Sequence, residues 1–287
     1  MHAMSKDSDL SGAHGLNGTP DPAGALDTVR VRALFDAQLR RGAGRAGPDG
    51  VVRQVGEGTA AWTAVVWSDF PDADEDGGAA ADAAVAAQSA WLASPEGRGR
   101  ELEWKLYSYD RPADLGARLS AAGFTPGPPE TVLVADAARI AAAAQEAAPP
   151  AGVRLEQVGD AAGVDLVARV HEEAFGTNAA RLRQRLLDQL GDPELEITLA
   201  VAGGRPVSAA RAEFAAGTDF AGLWGGGTVP EWRGRGIYRA LVAHRARRAL
   251  ARGHRYLQVD ASEQSRPVLE RLGFTALGTT TPYVRRG

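Results

Sequence analysis

Residues 233–236, Arg-Gly-Arg-Gly, combine two cations with two flexible positions in a segment that could bind a phosphate. Thr228 and Val229 end an extended run before it, and Pro230 interrupts strand pairing because proline has no N–H to donate. From Ile237 onward, apolar residues recur at intervals of mostly three and four, which predicts a helix. The first amides of a helix are unpaired and partly positive, and glycines let a phosphate approach them. The segment therefore predicts a site for a phosphorylated ligand.

The spacing distinguishes this segment from two common nucleotide-binding loops. The chain contains no Gly-x-x-x-x-Gly-Lys-Ser/Thr motif, and no Gly-x-Gly-x-x-Gly followed by a ribose-binding acid about 20 residues later. A tight connection between a strand and a helix, without any ligand, remains the alternative interpretation.

The segment resembles the pyrophosphate-binding loop of the GNAT superfamily of N-acyltransferases, Gln/Arg-x-x-Gly-x-Gly/Ala. Arg233 fills the first position and Gly236 the fourth, whereas Tyr238 stands at the last, where the family usually has a small residue. Further along, residues 272–274, Leu-Gly-Phe, match the end of a later helix in the family, and Ser262 stands at the usual Asn position. The resemblance covers about residues 152–287 and implies the GNAT fold there.

The resemblance also implies acetyl-CoA as co-substrate, without a metal. The residues that it implies for binding acetyl-CoA are Thr228, Val229, Arg233, Gly234, Arg235, Gly236, Ile237, Tyr238, Ser262 and Arg266. Within this set, the N–H of Val229 is expected to stabilise the oxyanion. Arg266 has an alternative role, because it could pair with Asp260 or Glu263 instead.

Acylation of an amine needs a base for the ammonium proton and often an acid for the thiolate. Glu213 is the carboxylate nearest to the family's usual position for the base, although it could instead pair with Arg211 on the same strand face. His171, at the end of a predicted helix, is a second candidate base near neutral pH. Leu269 occupies the position of the usual acid tyrosine, so Tyr283 is the candidate acid; its alternative role is at the edge of a core.

The first half of the chain repeats the element order of the second half. A strand ending at Asp110 is followed by a helix and Phe124, at the same interval that separates Asp260 from Phe274. A repeat of this size indicates a duplicated domain. We therefore predict an α/β (α+β) protein with two tandem GNAT-like domains, each a mixed, mostly antiparallel sheet flanked by helices.

The predicted boundaries are a flexible tail at 1–25, a degenerate GNAT-like domain at 26–145 and a catalytic N-acetyltransferase domain at 152–287. In the first domain, the carboxylates of residues 74–76 precede a helix and would repel a pyrophosphate, so it is not expected to bind acyl-CoA. Leu26–Arg41 is predicted as one amphipathic helix. Thr275–Gly278 and Thr281–Val284 are predicted to form a bulged or paired hairpin.

Composition narrows the class of protein. The net charge of −4 argues against a nucleic-acid partner, and the absence of cysteine excludes disulfides and thiolate chemistry. No apolar run approaches the ~18 residues of a membrane span, and no secretion signal is recognisable, so we expect a cytoplasmic protein without a membrane partner. The predicted partner is a small-molecule or peptide amine, bound by a monomer or homodimer. The alternatives are a non-catalytic acyl-CoA-binding regulatory or sensor protein and an inert structural protein.

Overall fold

The computed structural model describes residues 26–44, 46–57, 61–71, 77–143 and 148–287. The predicted tail at 1–25, the acidic residues 74–76 and residues 144–147, at the predicted boundary between the two domains, lie outside the described residues.

Eleven strands occur among the described residues. They are β1 (Val51–Val55), β2 (Thr63–Ser68), β3 (Glu101–Tyr107), β4 (Thr125–Pro126), β5 (Glu130–Asp136), β6 (Val153–Val158), β7 (Leu195–Ala202), β8 (Arg205–Glu213), β9 (Phe220–Thr228), β10 (Tyr256–Ala261) and β11 (Thr275–Arg286).

The described α-helices are α1 (Thr28–Phe35), α2 (Gly77–Ala93), α3 (Leu115–Ala121), α4 (Ala137–Ala143), α5 (Ala161–Phe175), α6 (Ala180–Asp188), α7 (Ile237–Ala251) and α8 (Arg266–Arg271). The single helix predicted at Leu26–Arg41 is interrupted, because a π-helical segment, Asp36–Arg40, follows α1 and a 3₁₀ turn, Arg41–Ala43, follows that segment.

Local sequence signals account for the ends of α5. The Asp160 carboxylate accepts a hydrogen bond from the N–H of Gly163, 2.8 Å away, which satisfies one of the unpaired amides of the first turn. Gly176 follows the last turn with φ at 69°, a left-handed conformation that favours glycine. These caps position the helix whose C-terminal end packs against β9.

The two halves of the chain share one mixed sheet. Its strands follow the order β1-β2-β3-β11-β5-β10-β9-β8-β7-β6, with β4 paired to β11 outside this path. The halves exchange their last strands: β5 of the first half pairs with β10, and β11 of the second half pairs with β3. The sheet therefore contains strands from both predicted domains without a break.

The predicted hairpin at the end of the chain is wrong. Residues 275–286 form a single strand with a bulge between Ala276 and Gly278. Its first part pairs with β5 and its second part pairs with β3, both antiparallel. A continuous strand forms because partners are available on both of its edges, so no turn is required.

Strands β9 and β10 separate after a short parallel ladder. Pairing between them joins Phe220–Gly222 to Tyr256–Gln258 and ends there. On its other edge, β9 has a bulge opposite Ala209–Arg211 of β8, where its register shifts. Gly225 lies in this bulge with φ at 58°, a left-handed conformation. The sheet thus opens into a cleft between Leu223–Val229 and the end of β10, which we call the second-half cleft.

The first half contains the same arrangement. Strands β2 and β3 are parallel and pair at Ala64–Glu103 and Val65–Trp104, and β2 has a bulge opposite Val52–Arg53 of β1. The guanidinium of Arg40 lies 3.8 Å from the ring centre of Tyr107 on β3 and 4.7 Å from that of Trp67 on β2. Arg40 therefore occupies the position where these two strands separate.

Candidate active site

The second-half cleft is bordered by the last part of β9, whose backbone pairs with β8 on one edge but not with β10 on the other. The N–H of Val229 donates to the carbonyl oxygen of Val207 on the β8 side, 3.0 Å away. Val229 is therefore not available as the oxyanion donor predicted from the sequence, because its N–H points away from the cleft. Successive N–H groups of a strand point to opposite sides, so the N–H of Thr228 is directed toward the cleft.

The loop at 230–236 leads from this cleft into α7. Gly234 and Gly236 have φ angles of 72° and 83°, which are left-handed conformations that favour glycine. Helix α7 begins at Ile237, and no described side chain caps its first amides. These amides are unpaired donors that lie next to the loop. The N-terminus of α7 is therefore suited to bind a pyrophosphate.

The two arginines of the loop differ in their contacts. The Nε atom of Arg233 donates to the carbonyl oxygen of Thr228 at 3.0 Å, and its Nη2 atom donates to that of Ala174 at 2.7 Å. Arg233 thus joins the loop to β9 and α5. The guanidinium of Arg235 stacks 4.6 Å from the ring centre of Trp232 and makes no hydrogen bond or ion pair with the described residues. Arg235 is the loop cation that remains available to a phosphate.

Tyr238 occupies the position where the GNAT motif has a small residue, and β9 accommodates it. A Cβ added to Gly226 would lie 2.8 Å from Cε2 of Tyr238, so the ring packs directly on the glycine backbone. Burial raises the pKa of Tyr238, and the neighbouring Arg245 opposes that rise. The glycine triplet 225–227 explains how the helix start tolerates the large side chain.

The predicted contacts near the start of α8 differ from those found. The Nε atom of Arg266 pairs with Oε1 of Glu270, 2.7 Å away, rather than with Asp260 or Glu263. This partner is favoured because the two residues are four apart on one helix. Ser262 Oγ accepts from the N–H of Ser265 at 3.3 Å. Both Ser262 and Arg266 are therefore engaged in local contacts.

A cavity of about 1000 Å³ lies between the two halves, and we call it the central cavity. Strands β3, β5, β8, β9 and β10 contribute lining residues, together with residues 53–57, 61–62 and 185–192. Its described carboxylates are Glu57, Glu103, Glu130, Asp188, Asp192, Glu213 and Asp260, and its described cations are Arg53, Lys105, Arg185 and Arg211. Because Trp224 and Asp260 line it just beyond the last β9–β10 pair, the cavity meets the second-half cleft.

A buried ion pair from both halves lies on the floor of the central cavity. Lys105 Nζ contacts Oδ2 of Asp260, whose side chain is 1% exposed. The other carboxylate oxygen of Asp260 accepts from Nε2 of Gln258 at 2.8 Å. Asp260 raises the pKa of Lys105 above its ordinary value against the effect of burial. Lys105 therefore remains charged beside Asp260.

Glu130 is a carboxylate of the central cavity that the sequence did not single out. It is half-buried, and its carboxylate makes no hydrogen bond or ion pair with the described residues. Burial, with the nearby Asp260 and Glu103, raises the pKa of Glu130 to about 7, and Lys105 opposes this. No local sequence signal marks Glu130, because its neighbours come from distant parts of the chain.

The predicted candidate Glu213 also lines the central cavity. Burial raises its pKa, whereas the charge of Arg211 on the same strand lowers it. Burial also lowers the pKa of Arg211 to about 10. No hydrogen bond joins these side chains within the described structure, so the structure shows electrostatic coupling rather than the predicted ion pair.

The remaining acid–base candidates lie elsewhere. His171 lines a separate small pocket with Gly225, and its ring centre lies 4.6 Å from that of Phe175; burial and the charge of Arg211 lower its pKa. Tyr283 packs in the core of the first half, where a Cβ on Gly116 of α3 would lie 2.5 Å from its hydroxyl. Tyr283 thus has the position at the edge of a core that was its alternative role, because β11 inserts beside β3 and directs that side chain toward α3.

Unsatisfied buried polar atoms concentrate around the central cavity. Within the described part of the chain, six buried side-chain polar atoms lack a hydrogen-bond partner. Four belong to residues that line this cavity: Arg53 Nε, Arg185 Nε, Gln189 Oε1 and Trp224 Nε1. Buried polar groups are normally paired, so such a concentration is typical of a site that receives a polar ligand. The described residues contain no cluster of potential metal ligands.

The chain is similar to known acetyltransferases in sequence pattern and in fold. Residues 164–274 match the model of the acetyltransferase (GNAT) family. A GCN5-related N-acetyltransferase from Kribbella flavida is 18% identical, with 91% of this chain and 96% of that chain covered and a TM-score of 0.62. A functionally unknown conserved protein from Staphylococcus epidermidis ATCC 12228 is 13% identical, with 88% and 97% covered and a TM-score of 0.60.

A tandem GNAT protein from the clavulanic acid biosynthesis pathway is 16% identical, with 82% of this chain and 78% of that chain covered and a TM-score of 0.56. No curated protein matches the chain. Residues 164–274 thus carry the sequence pattern of the GNAT family, and the chain has the fold of GNAT proteins, including a tandem one, as predicted from the sequence. Among the described residues, no helix is both long and apolar enough to cross a membrane.

Proposed function

We propose that the protein is an acetyl-CoA-dependent N-acetyltransferase that transfers the acetyl group directly to a primary amine. The observation that carries the proposal is the junction of the second-half cleft with the central cavity at Trp224 and Asp260. Direct transfer needs both substrates at one place, and this junction provides it.

The described residues support binding of acetyl-CoA on the second half. The amides of residues 234–238 and the cation of Arg235 are suited to a pyrophosphate. The open edge of β9, including the N–H of Thr228, is suited to pair with an extended pantetheine arm. When bound, acetyl-CoA supplies the activated acyl group, and the chain supplies position, charge and proton transfer.

The central cavity supports a small positively charged acceptor. Its described lining has more carboxylates than cations, and Trp62 and Trp224 add aromatic surface for a cation. Glu213 faces this space and is suited to hold an ammonium group. A peptide acceptor would have to place its N-terminal amine or one of its lysine side chains in the same cavity.

The test is acceptor-dependent release of CoA from acetyl-CoA, followed with a thiol reagent and a panel of primary amines. We expect release that saturates with at least one amine, together with an acetylated product of the expected mass. The alternative, a regulatory acyl-CoA-binding protein, predicts binding of acetyl-CoA by calorimetry without release above the rate of hydrolysis. That outcome would contradict the proposed function.

A further inference from the structure

One carboxylate from the first half lies beside the opening of the second-half cleft. Glu130 begins β5, and Val132, two residues later, pairs with Asp260 of β10. Residues two apart on a strand share a face, so Glu130 is a diagonal neighbour of Asp260, at roughly 7–8 Å between Cα atoms. Pairing of β10 with β9 has ended at Gln258, so Glu130 lies where the strands have already separated.

The carboxylate of Glu130 is available for proton transfer because its charged neighbours do not bind it. Three charged side chains act on its pKa: Asp260, Lys105 and Glu103. Lys105 and Asp260 satisfy each other, and Glu103 Oε2 accepts from Nε1 of Trp62 at 2.6 Å. The charges of the three sum to one negative, which favours a proton on Glu130. No hydrogen bond with any described residue fixes its carboxylate.

We propose that Glu130, contributed by the degenerate first half, is the base that takes the proton from the acceptor's ammonium group. This inference rests on the acetyl transfer proposed above. It makes the active site composite: the second half binds the acyl donor, and the first half activates the acceptor.

The Glu130 carboxylate takes one proton from R–NH3⁺ and leaves a neutral amine. The nitrogen lone pair bonds to the carbonyl carbon of the thioester, and the carbon–sulfur bond breaks with its electron pair on sulfur. The nitrogen loses a second proton, which converts the thiolate to CoA–SH. Glu130 then returns its proton to solvent through the central cavity.

Glu213 is less suited to this step than Glu130. It shares a strand face with Arg211, which is half-buried and makes no hydrogen bond from its side chain within the described structure. The carboxylate of Glu213 therefore compensates that cation. By contrast, Lys105, the one cation that acts on Glu130 among the described residues, already pairs with Asp260. A pKa near 7 also matches the best value for a base that works at neutral pH.

The experiment compares the wild type with Glu130→Gln and Glu130→Asp, and with Glu156→Gln on edge strand β6 as the matched control. The acceptor probes are spermidine, cadaverine and glucosamine, and binding of acetyl-CoA is measured by calorimetry. We expect Glu130→Gln to lower kcat/KM by about 10²–10⁴-fold with an unchanged Kd for acetyl-CoA. Glu130→Asp should retain part of the rate, and Glu156→Gln should retain all of it.

Two further measurements separate base catalysis from a structural role. The acid limb near pH 7 in the profile of kcat/KM should disappear in Glu130→Gln. Methoxyamine is already neutral at pH 7 and needs no base, so the variant should lose much less rate with it than with cadaverine.

The outcomes distinguish the inference from the function on which it rests. A wild type without turnover on any amine would overturn both. A wild type that turns over, with Glu130→Gln retaining its rate and its acid limb, would overturn the role of Glu130 alone. Equal losses with methoxyamine and cadaverine would also overturn it, because a displaced strand affects both amines alike.

Discussion

The Nε atom of Arg40 donates a hydrogen bond to the carbonyl oxygen of Val66, 3.0 Å away, at the bulge of β2. Its Nη2 atom donates to both carboxylate oxygens of Asp110, at 2.7 and 2.8 Å. Arg40 is 1% exposed, so these contacts fill the first-half counterpart of the cleft that remains open in the second half. In the first half, an internal side chain therefore stands in place of an open cleft.

Stoichiometry of one acetyl-CoA per chain follows from this replacement. The pantetheine arm needs the separated strand edges, and in the first half Arg40 occupies them. We expect calorimetric titration of the full chain to give one site. A value near two would show that Arg40 yields to the ligand, contrary to the buried contacts described above.

The substitution Arg40→Met should destabilise the protein strongly. It removes the cation but leaves Asp110, whose side chain is 4% exposed, without its partner. Breaking a buried pair from one side typically costs about 3–5 kcal/mol. Denaturant unfolding measures this loss. The double substitution Arg40→Met with Asp110→Asn should recover part of it; if the double variant were less stable than Arg40→Met, the uncompensated carboxylate would not be the cause.

The two loop arginines should respond differently to substitution by alanine. Arg235→Ala removes an exposed cation and should weaken binding of acetyl-CoA by about ten- to a hundred-fold, at unchanged melting temperature. Arg233→Ala should weaken binding and also lower the melting temperature, because its guanidinium joins Thr228 to Ala174. Calorimetry and thermal unfolding on both variants provide the comparison. An unchanged Kd in Arg235→Ala would remove that side chain from the phosphate site.

Glu130 should make stability depend on pH. Its pKa is raised from 4.5 to about 7 in the folded state, so the folded protein binds the proton more tightly than the unfolded chain does. The contribution of this proton to the free energy of unfolding is fully present below about pH 4.5. It is lost as the pH rises through about 7. Glu130→Gln should therefore be more stable than the wild type above pH 7, by about 1–2 kcal/mol after allowance for solvent screening. Equal pH dependence of unfolding in both proteins would contradict the raised pKa.

The fold and the donor-binding side of the site could be predicted from the sequence because their signals are local. The motif at 233–236 lies within one turn, and the repeat of Asp110–Phe124 at Asp260–Phe274 is visible in spacing. Two features of the donor-binding side could not be predicted, because they depend on tertiary contacts. Arg233 is drawn to carbonyl oxygens of β9 and α5, and Tyr238 is accommodated by a glycine on another element.

The acceptor side could not be predicted for the same physical reason. Glu130 acquires its environment from Lys105 on β3 and Asp260 on β10, which only the folded sheet brings together. Tyr283 was assigned to the cleft from its place in the last strand, but that strand extends along β3 and turns the ring toward α3. Sequence spacing carries no information on such an exchange of strands.

The exchange of β5 and β11 also constrains how the chain is made. Strand β3 pairs with residues 280–286, so the sheet of the first half stays incomplete until those residues have left the ribosome. Contacts over such long sequence separations slow folding and leave strand edges exposed during synthesis. The two halves are alike in element order, but during synthesis they must reach the folded state together.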